Sequence, residues 1–492
     1  MTPVEAVQRT ARTVEPVMKE LKIVTDNLLA SFGKWLAAVA VLVIFPGPSS
    51  AQTIGGPAKA LTLEDAVNYA LEHYPDVRAS LEQVNAARAG VTLARTQYLP
   101  SLTGVYQDSR ATQNQVDGIW LPTPLNPAVE GPVGQYSGQS FWASQIAALF
   151  SWEPFDFGLR RSIVGEAASA EKKSTADLAV TRLQVANAVG NYFLAVLAAQ
   201  QAVVAAQANV ERWQVVNKSV HTLVDNGLRA GADASRADAQ LALARVQFYK
   251  AQQGEQTALA TLAALMGAAG SDIKLESGRL LELPAAESLP IMAPSEHPMA
   301  RDLMAAVLQE QAREKVLSKT DFPKFYLQAE GFARGSEIPN GASIIGNLNG
   351  LLPGHANWLV GVTITFPNLF DFRALKAQKE ISKATENSRQ ALYDKTIQDL
   401  TGKAQTALAR LKTSRLLAGQ TPVELAAARA AEIQSRARYE ASLATIVEVA
   451  DAEGLLVQAE TDDALARLNV WRSLFALAYA QGDLQPFLDV LR

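Results

Sequence analysis

The second half of the chain repeats the first at a fixed offset. Phe155-Asp156-Phe157 recurs as Phe370-Asp371-Phe372, Leu228 as Leu443, Leu241 as Leu456, Leu259 and Leu262 as Leu474 and Leu477, and Gly267 as Gly482, each pair 215 residues apart. Upstream, Pro75 matches Pro298 and Pro100 matches Pro323 at an offset of 223, so the copies differ by eight residues between Pro100 and Phe155. A duplication without a separate linker predicts one architecture of two like halves rather than a string of unrelated domains.

Composition narrows the function. The net charge is -4, with Lys and Arg spread along the chain, which gives no basic stripe and sets nucleic acid aside as a partner. Cysteine is absent; this excludes disulfides, thiolate metal sites, cysteine nucleophiles and a lipid anchor on an N-terminal cysteine. Lys19, Lys22 and Lys34 precede an apolar run over 35–45, then Pro46-Gly47-Pro48 and Ser49-Ser50-Ala51. That order reads as a secretory signal peptide over 1–51, cleaved after Ala51, with Met18 as a candidate alternative start. The run is far short of the ~20 residues a bilayer span needs, and no other segment reads as a transmembrane helix.

The predicted mature chain divides into a first repeat over 52–270, an equatorial connection over 271–297, a second repeat over 298–482 and a tail over 483–492. Each repeat opens with helices that proline punctuates, because proline pushes the residue before it out of helix. The period then changes. Trp358, Val360, Val362, Ile364 and Phe366 alternate with Leu359, Gly361, Thr363 and Thr365, a strand over 357–366 with one fully apolar face. Its counterpart over 141–152 puts Trp142, Ile146, Ala148, Phe150 and Trp152 on one parity, with Ser144 the exception. Earlier strands are expected over 101–111 and 324–335, four per chain, of about the ~9 to 11 residues that cross an outer membrane. Four strands cannot close a membrane barrel, and lipid tolerates no open edges, so several chains must share one barrel.

Residues 156–226 read as one helix of ~105 Å at ~1.5 Å per residue, paired after Asn226-Gly227 with a shorter arm to Met266. The long hairpins thus span 156–266 and 371–481. The short helices over 76–98 and 298–321 would stack end to end on the shorter arms. At Gly419-Gln420-Thr421-Pro422-Val423-Glu424 a helix stop followed by a capping box with proline predicts a kink or break.

An enzyme reading finds little. His73, His221, His297 and His355 are dispersed without a metal-ligand spacing, and no phosphate loop, nucleophile elbow or dinucleotide fingerprint occurs; no catalysis, cofactor or metal is expected. The hairpin tips are more informative. Asp233 follows Gly227, and Glu448 follows Ser442, by six residues; Asp451 lies one turn beyond Glu448, where copy one has Arg236. If chains ring an axis, Glu448 and Asp451 form stacked acidic rings at a constriction; otherwise they are a solvated helix face. Leu228 and Leu443 directly follow the turns. They either present an apolar tip to a partner or pack on the opposite arm.

These residues resemble the outer membrane efflux protein family, the TolC-like channels. The resemblance rests on Leu61-Thr62-Leu63-Glu64-Asp65-Ala66, Tyr74-Pro75-Asp76, the run from Asp233 to Leu241, and the run from Thr445 to Ala452. It implies a mainly α protein with membrane β structure: a homotrimer whose duplicated long helical hairpins form an α-barrel, below a shared 12-stranded β-barrel in outer-membrane lipid. It implies an exit duct for tripartite efflux or type I secretion, with a periplasmic adaptor (membrane fusion protein) at the tips Gly227, Leu228, Ser442 and Leu443, and an inner-membrane transporter. Glu448 and Asp451 match the family's acidic constriction, and Tyr439 and Asp233 match positions that hold the tip closed. Ser442 replaces a tip glycine, and Ala444 replaces a basic residue that locks the tip in some members, so the lock is expected to be either weaker or built differently, with Arg436 and Arg438 as candidates. The alternative is a soluble periplasmic coiled-coil scaffold without channel activity.

Overall fold

The computed structural model describes residues 60–112, 140–284, 292–336, 351, 353, 355–367 and 372–491. The expected leader over 1–51, most of both inter-strand loops, and Phe370-Asp371 lie outside the described residues.

Helix α1 (Leu63–His73) begins with a capping box, in which the Thr62 hydroxyl accepts from the Asp65 N–H and the Asp65 carboxylate accepts from the Thr62 N–H. Tyr74 is extended, with ψ 130°, before Pro75, and Pro75 then opens α2 (Pro75–Thr96) in the first-turn position it tolerates. Strands β1 (Ser101–Thr112) and β2 (Ser140–Phe155) follow, then the arms α3 (Leu159–Asp225) and α4 (Gly231–Leu265). Copy two repeats the order with α5 (Pro298–Lys319), β3 (Lys324–Ser336), β4 (His355–Thr365), α6 (Phe372–Glu440) and α7 (Ile446–Gln481), and α8 (Gln485–Leu491) closes the chain.

The 67 residues of α3 reach ~100 Å, and α4 covers only about half of that. The gap is filled end to end. At Gly267, with φ +77°, an added Cβ would stand 3.1 Å from the His73 carbonyl oxygen, so the end of α4 abuts the start of α2. Gly482, with φ +85°, meets His297 and Pro298 in the same way at the start of α5. Both positions need the left-handed backbone that glycine adopts without a Cβ penalty.

Helix α6 does not break at 419–424. It runs unbroken from Phe372 to Glu440 with Pro422 inside it. The expected cap residue Thr421 instead donates its hydroxyl to Asp463 of α7 at 3.1 Å, so packing between the arms overrides the local stop signal. One stretch of α3 also has the length and hydropathy of a membrane span, which the sequence reading did not anticipate. Its apolar side is core: Val189, Phe193, Leu194, Val196 and Leu197 are buried against α1, α4 and α7.

The four strands form one antiparallel sheet in the order β1-β2-β3-β4. Register aligns Leu102, Phe150, Ala329 and Val360 in one row, and Trp152, Leu327 and Val362 in the next. On this face Trp358 is 80% exposed, and Val360, Val362, Ile364, Phe366, Leu102 and Ile146 are exposed as well. The other face is polar and partly enclosed: the Gln328 side chain donates to Ser151 and accepts from Thr363 at 3.0 Å. Alternation, cleanest along β4, thus sets an apolar face against a more polar one, the pattern of a membrane barrel wall.

The densest core lies where the hairpins meet the connection. Trp471, Phe475 and Phe487 are almost fully buried, with Phe487 edge-on to both other rings; each contributes ~1.5–3 kcal/mol by burial. An added Cβ on Gly190 would lie 2.2 Å from Phe475, so α3 passes α7 only because that position lacks a side chain. The first half of the connection is tied down at two places. Leu61 N–H donates to Lys274 O and Glu276 N–H to Leu61 O, while the Trp471 indole N–H donates to Glu282 O at 2.8 Å.

Candidate functional site: the hairpin tips

The two tips close by the same backbone bonds. Gly227 N–H reaches Val224 O and Leu228 N–H reaches Leu223 O; Ser442 N–H reaches Tyr439 O and Leu443 N–H reaches Arg438 O. These are paired Schellman closures. Gly227 has φ +71° and Ser442 φ +66°, so copy two holds a side-chain-bearing residue in the left-handed region at a cost of about 1–2 kcal/mol. Leu228 and Leu443 are 65% and 71% exposed and do not pack on the opposite arms.

The structure brings Tyr439 and Asp233 together across the two copies. Tyr439 is buried and its hydroxyl donates to Asp233 Oδ2 at 3.3 Å; burial, reinforced by the Asp233 charge, pushes the phenol upward. The residue that completes this contact was missed in the sequence. Arg229 lies 4.3 Å over the Tyr439 ring, and its Nη2 donates to the carbonyls of Tyr439 and Ala444 at 2.5 and 3.2 Å. The repeat offset could have found it, because Arg229 is the counterpart of Ala444. The basic residue absent from copy two stands at the same turn of copy one and reaches across.

The two expected alternatives differ in place. Arg436 pairs with Glu432 and Glu453, well above the tip, and Arg438 caps the Leu443 carbonyl at 3.4 Å while standing 3.9 Å from Glu448. Glu448 is also the returning member of a capping box: its carboxylate accepts from Thr445 N–H at 3.2 Å, and Thr445 Oγ1 accepts from Glu448 N–H. Glu448 and Asp451 are both exposed in the single chain.

Above the tips the copies carry equivalent polar triads. In copy one Asp238 Oδ1 accepts from Asn217 at 2.7 Å and lies 3.0 Å from His221 Nε2. The residues 215 further on are Glu453, Glu432 and Arg436, joined instead through Arg436, which pairs with both carboxylates. Copy two adds Arg212 from α3, which pairs with Glu453 at 2.9 Å and Glu460 at 3.1 Å. Glu453 is fully buried and compensated by two guanidinium groups, as a buried charge must be.

A duplicated pair of long helical hairpins, carrying a four-stranded sheet with an apolar outer face at one end and paired tips at the other, defines an outer-membrane channel protein rather than an enzyme. The sequence profile of the outer membrane efflux protein family matches residues 66–268 and 298–483, and the chain belongs to that family. It is 25% identical to Protein CyaE of Bordetella pertussis over 448 residues, 86% of this chain and 84% of that protein. It is also 25% identical over 416 residues to the pyoverdine export outer membrane protein OpmQ of Pseudomonas aeruginosa, covering 83% and 82% of the two chains. Among solved structures, the CmeC outer membrane channel of Campylobacter jejuni superposes with a TM-score of 0.69 at 17% identity, covering 85% of each chain. The open state of the MtrE channel of Neisseria gonorrhoeae gives 0.67 at 19%, covering 86% of this chain and 89% of that one.

Proposed function

We propose that three copies close a barrel of twelve strands in the outer membrane and continue into a periplasmic tunnel of helical hairpins, a passive exit duct for a tripartite efflux or type I secretion system. The observation that carries this reading is the sheet itself. Its outer face exposes Trp358, Val360, Val362, Ile364 and Phe366, while β1 and β4 each have a free edge among the described residues. Lipid accepts such a face but not such edges, so β1 of one chain must pair with β4 of another. Alternation of apolar and polar faces supports a water-filled interior.

The tip is the gate in this reading. Arg229, Tyr439 and Asp233 hold the two hairpins of one chain together at the narrow end, and Glu448 and Asp451 ring the opening. Gly227, Leu228, Ser442 and Leu443 face a periplasmic adaptor, which bridges to an inner-membrane transporter. The name of the OpmQ relative, an export protein, agrees with outward transport. Reconstitution tests the reading: purified protein should run as a heat-resistant trimer and give discrete conductance steps in planar bilayers. A monomer that partitions into the soluble periplasm without detergent contradicts it.

A further inference from the structure

Within the chain the hairpins meet along a seam of α3 against α7, and Arg212 of α3 bridges that seam to Glu453 and Glu460. A ring of alternating hairpins, which rests on the assembly proposed above, needs an equivalent seam between chains: α6 of one copy against α4 of the next. The repeat offset gives its residues. Asn209 maps to Glu424, Arg212 to Ala427, Glu453 to Asp238 and Glu460 to Arg245.

Burial marks both strips as unfilled. On α7, Glu453, Val457, Glu460 and Ala464 are buried or half-buried under α3, while their counterparts Asp238, Ala242, Arg245 and Tyr249 on α4 are exposed. On α3, Ala205, Asn209 and Arg212 are half-buried, while Gln420, Glu424 and Ala427 on α6 are exposed. Glu424 and Arg245 have no ionic partner among the described residues.

The arms run antiparallel, so Asn209 lies one turn from Arg212 toward Glu460, at the level of Glu460. Equivalence sets Glu424 opposite Arg245 of the next chain. We propose that these two residues pair across the interchain seam, and that their signs, reversed relative to Arg212 and Glu460, make the hairpins alternate around the ring. The reversal works by exclusion. Copy-one hairpins placed side by side would turn Arg212 toward Arg245, and copy-two hairpins would turn Glu424 toward Glu460. Like charges at a closing interface suppress the wrong partner as effectively as opposite charges select the right one.

The absence of cysteine makes a clean test. In full-length protein in membranes, the Glu424→Cys/Arg245→Cys pair treated with a short bismaleimide should give a ladder of covalent dimers and trimers, and neither single variant should. Asn209→Cys/Glu460→Cys, on the seam within one chain, should crosslink without a ladder. Charge reversal adds a second readout: E424R and R245E should each lose heat-resistant trimer, and the double reversal should regain most of it. If wild type is trimeric but the pair gives no ladder, or Glu424→Cys alone crosslinks to itself, the alternating seam is wrong while the channel reading stands. If wild type is not oligomeric, the channel reading itself fails.

Discussion

Arg229 of one hairpin stacks on Tyr439 of the other, with the guanidinium 4.3 Å from the ring centroid and Nη2 donating to the Tyr439 carbonyl. A half-buried cation over an aromatic ring contributes about 0.5–2 kcal/mol, and the two carbonyl bonds add to it. Arg229→Ala should therefore raise the open fraction of reconstituted channels by roughly 5- to 30-fold, an estimate from ~1–2 kcal/mol. Arg229→Lys, which keeps the charge but loses the planar fork, should fall between. Single-channel open probability reads the effect, and an unchanged value for Arg229→Ala removes the arginine from the gate.

His297 predicts a pH dependence. Its Nδ1 accepts from Met299 N–H at 3.1 Å and its Nε2 faces the Tyr479 carbonyl at 3.2 Å, which fixes the neutral tautomer with hydrogen on Nε2. Burial holds its pKa below the ordinary 6.5. The unfolded chain therefore binds the extra proton first. The associated stability is present above about pH 6.5 and is lost as pH falls through that value toward the depressed one. The thermal midpoint in detergent should drop between pH 7.5 and 5.5, and His297→Asn, which keeps an acceptor for the helix start, should flatten this part of the profile.

Val362 lies between Val360 and Ile364 on the exposed face of β4. An arginine there should cost about 2–4 kcal/mol if the side chain sits near the bilayer midplane. Heat-resistant trimer recovered from membranes should fall sharply for Val362→Arg, while Thr363→Arg on the opposite parity should assemble nearly as wild type. Equal behaviour of the two variants would contradict a lipid-facing row.

Gly190 packs under Phe475. Gly190→Ala would force its methyl into the ring, and overpacking of this kind costs about 1–3 kcal/mol. Phe475→Leu in the same chain should restore part of the loss, since the clash is with a side chain rather than with backbone. Thermal unfolding of the single and double variants measures the coupling.

The sequence carried the fold through period and repetition. Alternation at Trp358 to Phe366 and the glycines and prolines that end helices are local signals, and the strands and arms follow them closely. Pro422 shows where such signals stop. Its helix-stop context is local, but the Thr421 to Asp463 bond is made 42 residues away along the chain and overrides it. The tip was legible in part for a similar reason. Tyr439 and Asp233 are joined in space, but the arginine that completes the contact, Arg229, lies in copy one and acts on the turn of copy two, a relation that the residues around the copy-two turn do not carry. The spacing of Glu448 from Thr445 is that of a capping box, a second role legible in the sequence beside the constriction expected of it.

The tie between Trp471 and the Glu282 carbonyl gives the molecule unequal resistance along its length. Parting the hairpins at that level would drag a buried indole and the Phe475 and Phe487 rings into water, a loss of several kcal/mol by the usual ~25 cal/mol per Å². At the foot a smaller apolar cluster, with Val216, Val220, Ile446 and Val449 buried, and the contacts of Arg229, Tyr439 and Asp233 resist separation. A force applied equally along the arms would therefore spread the foot first and leave the waist shut, as tongs open beyond their rivet.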